Sequence, residues 1–229
     1  MTFGEKVIDF NIHLHFEGRL PAGIRMMYPF GEGQEARHIM EQFYHKFYND
    51  NGPRRMLIGI NPGRFGSGVT GVPFTDTKRL TEKAGISFRG GLQTHEPSSV
   101  FVHNMIDAYG GLKQFCRRFY FTSMCPLGFV MDKGNGKEVN YNYYDTKALT
   151  NLVYDFMITK LKEQLAWGID RQVGYCLGTG KNAAFVMQVN ERYKFFDQLV
   201  PLEHPRFIMQ YRSKYQQAYI DKYLAALCL

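Results

Sequence analysis

A three-layer α/β/α fold around a central, mostly parallel four-stranded sheet is the class this sequence predicts. Three observations carry the prediction. Short apolar runs alternate with helical periods from Gln34 onward, the pattern of a sheet covered on both faces by helices. The runs are continuously apolar, as in strands buried on both sides. Four of them end at Asn61, Ser123, Gly178 and His204, so their polar exits are expected along one edge of the sheet, where such folds gather ligands.

The elements follow in order. Gln34 to Asp50 reads as a helix, with Ile39, Phe43 and Phe47 at i, i+4 and i+8 and Asn51-Gly52-Pro53 stopping it. Met56 to Ile60 is a buried strand. A short helix is expected to start near Thr75-Asp76. Ser98 or Ser99 is expected to cap the next, which carries Phe101, Met105 and Tyr109 on one face and ends at Gly110-Gly111. Phe119 to Met124 is the second strand, broken by Pro126. Thr146 to Trp167 is the longest helix, its stripe running through Leu149, Val153, Phe156, Lys160, Leu161 and Leu165. Gln172 to Leu177 is the third strand, leading through Gly178-Thr179-Gly180 into a helix with Phe185 and Val189. Phe196 to Leu202 is the fourth strand, and a final helix runs from about Ser213 to Leu227.

The 229 residues suit one domain over 1–229, with residues 1–33 packed on it as an N-terminal extension. No apolar run approaches the roughly 20 residues of a membrane span. The N-terminus lacks the apolar stretch and cleavage site of a signal peptide. The four cysteines, Cys116, Cys125, Cys176 and Cys228, form no CxxC pair and no zinc spacing. Cys125 and Cys176 lie in apolar runs and read as reduced core residues. A reducing compartment is expected, with neither metal nor other cofactor. That means the cytoplasm, at the nucleoid, in a bacterium, or the nucleus in a eukaryote, and not secretion. A net charge of +7 with 15% aromatic residues suits an anionic partner with stackable rings, such as nucleic acid. A large aromatic core accounts for most of those rings.

Glycine-rich turns come next. Gly178-Thr179-Gly180-Lys181 fails as a phosphate loop: Asn182 follows the lysine where Ser or Thr is needed. Ala183 breaks a dinucleotide fingerprint. A plain turn into a helix is the simpler reading, with free N–H groups that can meet a phosphate beside Lys181. Leu57 to Phe74, LIGINPGRFGSGVTGVPF, differs. It holds five glycines, two prolines and Asn61 in and just after a strand, which suits a ligand that comes close to the main chain.

Gly59-Ile60-Asn61-Pro62-Gly63, Phe65-Gly66 and Thr70-Gly71-Val72-Pro73-Phe74 together resemble the first motif of uracil-DNA glycosylases of the single-strand-selective monofunctional type. Phe121-Thr122-Ser123-Met124-Cys125-Pro126-Leu127 is similar to the family strand ending in Asn-Leu-Cys-Pro-Leu. His204-Pro205 is similar to the family's His-Pro. The resemblance is clearest over 55–212. It implies a pocket for an extruded base, with Asn61 holding the attacking water and His204 donating to the departing base. The base would be bound by Ile60, Gly63, Phe65, Phe74 and Ser123. Two departures mark a divergent branch. Ser123 stands where the family has a base-reading Asn, and Arg206-Phe207-Ile208-Met209 replaces Ser-Pro-Arg-Asn. Arg206, Phe207, Met209 and Arg212 are expected to wedge the duplex or meet phosphates, as is Lys181. No motif lysine suggests a Schiff base, so the expected product is an abasic site.

The residues support this chemistry independently. Breaking an N-glycosidic bond puts positive charge on the sugar and negative charge on the base, which aimed donors and one held water can serve. Each residue also has an ordinary reading. Asn61 can be a turn residue, His204 a loop histidine, Phe74 core, and Asp76 a helix cap or a rival base. Arg206 to Arg212 can be a surface loop. His103 lies mid-helix, and Asn140 to Tyr144 can be a base-stacking loop or a turn packed by tyrosines. The expected partner is DNA carrying a deaminated base, bound by a monomer. Uracil or, because Ser123 is short, xanthine is the expected base. A catalytically idle nucleic-acid module and a hydrolase of free nucleosides are the rival readings.

Overall fold

The computed structural model describes residues 1–90, 93–134 and 136–228. In chain order its elements are α1 (Phe3–Ile12), β1 (Ile24–Met27), α2 (Glu35–Phe47), β2 (Arg55–Gly59), α3 (Ser67–Thr70), α4 (Thr77–Ala84), α5 (Pro97–Tyr109), α6 (Leu112–Arg118) and β3 (Phe119–Ser123). Then come β4 (Gly128–Asp132), β5 (Glu138–Tyr141), α7 (Lys147–Leu165), β6 (Val173–Leu177), α8 (Lys181–Tyr193), β7 (Gln198–Leu202), α9 (Pro205–Tyr211), a 3-10 turn (Ser213–Tyr215) and α10 (Gln216–Leu227).

The predicted sheet is present. Its order is β3-β2-β6-β7 and all three pairings are parallel. Met56, Leu57 and Ile58 are all fully buried. Successive strand side chains point to opposite faces, so burial of three in a row requires a covering layer on each side. Phe3, Val7 and Phe10 of α1 are buried, and that helix packs on α2. Among the described residues no helix is long and apolar enough to cross a membrane.

The sequence did not announce a second sheet. β1, β4 and β5 form a three-stranded antiparallel sheet, with Met26 opposite Phe129 and Val130 opposite Asn140. Its β4 begins at Gly128, where a Cβ would stand 2.4 Å from the Pro62 carbonyl oxygen. Glycine there lets this sheet abut the Asn61-Pro62-Gly63 turn.

Other expectations need correction. Ser98 and Ser99 do not cap α5. Glu96 is its N-cap and Pro97 occupies its first position, where proline's missing N–H costs nothing. Ser99 instead accepts the Asp76 N–H at 3.2 Å. The segment after His204 is not a loop: residues 205–211 are helical, with His204 as N-cap. Asp76 is a fully buried helix cap, as its ordinary reading has it, accepting the Arg79 N–H at 2.8 Å and pairing with the Arg79 guanidinium at 3.2 Å. His103 is buried within α5 against Thr75.

Candidate active site

The strand order dictates where a ligand fits. From β2 the chain crosses to β3 on one side, and later returns to β6 on the other. This reversal opens a crevice at the C-terminal end of β2. Asn61 lies two residues beyond that end. Ser123 ends β3, paired with Gly59, and His204 follows β7 by two residues. All three line one cleft of about 520 Å³, within the roughly 300–1,000 Å³ common for small-molecule sites. Ile60, Gly63, Phe74, Arg206 and Phe207 share its wall.

Asn61 is fixed at both ends of its carboxamide. Its Oδ1 accepts the Tyr143 N–H at 3.2 Å, and its Nδ2 donates to the Tyr141 carbonyl at 3.2 Å. Tyr143 is fully buried and its hydroxyl donates to Asn182 Oδ1 at 2.8 Å. Asn182 in turn donates to the Leu177 carbonyl at 3.1 Å. A polar chain thus links the exit of β2 to the exit of β6. A carbonyl oxygen has two lone pairs, so Asn61 Oδ1 keeps one acceptor site.

His204 accepts the Arg206 N–H at its Nδ1, 3.1 Å away. That bond assigns the neutral ring's proton to Nε2. Burial, with Arg206 adding to it, pushes the His204 pKa down to about 4. At neutral pH the ring is therefore an uncharged N–H donor. It tilts against Phe74, with centroids 5.8 Å apart. Phe74 has φ 52°, a conformation that costs a bulky residue energy and persists only where the surroundings enforce it. Its ring packs on Phe121 at 5.3 Å and forms a flat apolar wall.

The remaining expectations divide. Arg206 and Phe207 line the cleft, and Phe207 meets Tyr211 at 5.5 Å on the same face of α9. Phe65 does not line it: the ring is 44% exposed, with the Arg64 guanidinium 4.2 Å from its centroid. Met209 does not line the cleft: it lies one turn along α9 from Arg206 and packs against the core. Lys181 and Arg212 are exposed at helix ends outside the cleft wall.

Glu96, Ser98 and Gln210 also line the wall and were not foreseen there, while Asn140, Asn142 and Tyr144 come from the segment with two readings. Asn140 Oδ1 accepts the Arg64 N–H at 3.0 Å. In residues 140–144, Tyr143 packs inward as in the turn reading, while Asn142 and Tyr144 line the cleft. Glu96 accounts for one of the glycines that follow β2. A Cβ on Gly66 would stand 2.5 Å from its carboxylate oxygen.

Fold and cleft together define an α/β domain with a polar crevice at the C-terminal ends of its parallel strands, and comparison with known proteins gives its family. The family model described as the uracil DNA glycosylase superfamily matches residues 45–228, and the chain belongs to that superfamily of DNA-repair glycosylases. It is SMUG-like: the crystal structure of wild-type SMUG2 from Pedobacter heparinus is similar over 99% of this chain and 97% of that one, at 56% identity and a TM-score of 0.96. No curated protein matches the chain.

Proposed function

We propose that this protein hydrolytically excises a deaminated base from DNA and leaves an abasic site, with a base range that extends from uracil to xanthine. One observation carries the reading. A clamped amide, Asn61, and an uncharged donor, His204, line the same cleft as the flat Phe74 ring. The base must first leave its stack, at a cost of a few kcal/mol. Phe74 then stacks on it. His204 Nε2–H donates to a carbonyl oxygen of the base, and this bond strengthens as negative charge develops during departure. The free lone pair of Asn61 Oδ1 holds a water for C1′ of the sugar. No lysine lines the cleft among the described residues, which favours water over an amine as nucleophile. Ser123 supports the wider base range. Its hydroxyl has no protein partner among the described residues, and it is shorter than the Asn of the family pattern.

The test is single-turnover excision on matched duplexes carrying one uracil, xanthine or hypoxanthine, with alkali to break abasic sites. The expected result is alkali-dependent cleavage at uracil and xanthine. Cleavage without alkali would mean a lyase. No abasic product from any of them would favour a binding module.

A further inference from the structure

We infer that Glu96 is the general base of this site, accepting the proton of the water that attacks C1′. The inference rests on the glycosylase reading above. It arises from a count of what lines the cleft. Asn61, Asn140, Asn142 and Gln210 are amides, which do not take protons near neutral pH. His204 has its Nδ1 occupied by the Arg206 N–H and its Nε2 protonated. Glu96 is the one carboxylate lining the cleft among the described residues.

Its position is built. The Glu96 N–H donates to Asp76 Oδ2 at 2.7 Å, and Asp76 is buried and anchored by Arg79. The carboxylate itself makes no ion pair among the described residues. It accepts a hydrogen bond from the Ser98 hydroxyl at 3.5 Å. It lies over the turn that follows Asn61. A Cβ on Gly63 would stand 3.6 Å from Oε1, and one on Gly66 would stand 2.5 Å from Oε2. Neighbouring groups are Arg206 on α9, Asp76 and Arg79 at the start of α4, His95 and Ser98 beside it in sequence, and Asn140 on β5. Burial raises the Glu96 pKa above its ordinary value. Arg206 opposes the rise, Asp76 adds to it, and Ser98 opposes it. A base poised nearer neutrality is better matched to proton abstraction.

The step balances. The C1′–N bond breaks and its electron pair leaves with the base, which His204 Nε2–H stabilises as an anion. The water oxygen bonds to C1′ and one water proton passes to the Glu96 carboxylate. While positive charge builds on the sugar, the same carboxylate is the negative charge able to face it.

The experiment compares wild type with Glu96→Gln by single-turnover excision of uracil from pH 5 to 9, together with DNA affinity and melting temperature. The expected result is a loss of about 100-fold or more in rate, the scale of general-base catalysis, with affinity and melting unchanged. The wild-type rate rises with pH through the carboxylate's titration, and this acid limb disappears in Glu96→Gln. Glu96→Asp keeps the limb at reduced rate, and serves if Glu96→Gln fails to fold. A Glu96→Gln rate within about threefold of wild type overturns the inference. So does an acid limb that persists without the carboxylate, or a loss confined to DNA affinity, which would make Glu96 a holder of Arg206. Wild type that excises no base overturns the glycosylase reading as well. Excision by wild type with an indifferent Glu96→Gln overturns this inference alone.

Discussion

Asn61 and Tyr143 are 82 residues apart in sequence, yet the Tyr143 N–H meets Asn61 Oδ1 at 3.2 Å. The bond orients the amide before any substrate arrives. A water held by the second lone pair then needs no reorganisation at the moment of reaction, which is where preorganised groups act most strongly.

Asn61→Ala is therefore expected to lower single-turnover excision by roughly 100-fold or more while DNA binding persists. It also leaves the Tyr143 N–H and the Tyr141 carbonyl unpaired, which costs on the order of 1–3 kcal/mol of stability. Rates at several temperatures below the melting transition separate the two effects. Unchanged excision by folded Asn61→Ala would remove Asn61 from the mechanism.

Two histidines, the buried His103 and the half-buried His204, predict acid sensitivity. Burial lowers both His103 and His204 to about 4, from the ordinary value of 6.5. The folded state therefore favours the neutral rings, while the unfolded chain takes up protons below about pH 6.5. Their contribution to stability is complete above that pH and is lost as the pH falls toward 4. His103→Leu should flatten the decline in melting temperature between pH 6.5 and 4 without changing the excision rate at neutral pH. A decline as steep as that of wild type would assign the acid sensitivity to other groups.

Ser123 bears on base choice. An Asn carboxamide presents an acceptor beside a donor, a flat pair matched to the N3–H and O4 of uracil, whereas a serine hydroxyl offers one adaptable contact. Ser123→Asn is expected to raise uracil excision relative to xanthine. A matched contact worth about 1–3 kcal/mol corresponds to roughly 5-fold to 150-fold in that ratio. The measurement is the rate ratio on matched duplexes for both proteins, and an unmoved ratio would dismiss Ser123 as a base reader.

Arg206 lines the cleft on the face of α9 that also carries Phe207 and Tyr211. If it meets a phosphate, Arg206→Gln reduces the slope of log affinity against log salt by about one unit. Lys181→Gln, at the exposed start of α8 outside the cleft wall, should leave the slope unchanged. Equal slopes for wild type and Arg206→Gln would direct the DNA path away from α9.

The parallel sheet and its four exits were legible in the sequence because local rules govern them, while the choice of Asn61, Ser123 and His204 as a site came from the resemblance to the glycosylase motifs. Apolar runs bounded by turns specify buried strands, and the glycine pattern after β2 is contiguous. A capping signal at His204-Pro205 was also present, since proline favours the first helical position, so α9 was readable from the same rules. What only the tertiary structure decided is non-local. Ile24–Met27 pairs with Gly128–Asp132 across some hundred residues, and that sheet brings Asn140 and Asn142 to the cleft. Glu96 reaches the site because Gly66 leaves it space and Asp76 holds its backbone. Phe207 and Met209 share one helix but point to different sides, Phe207 to the cleft and Met209 toward the core, a difference of helix phase. Local sequence specifies which residues can form an element. Packing of distant elements against one another, through burial that no single segment achieves alone, specifies which of their side chains share a cavity.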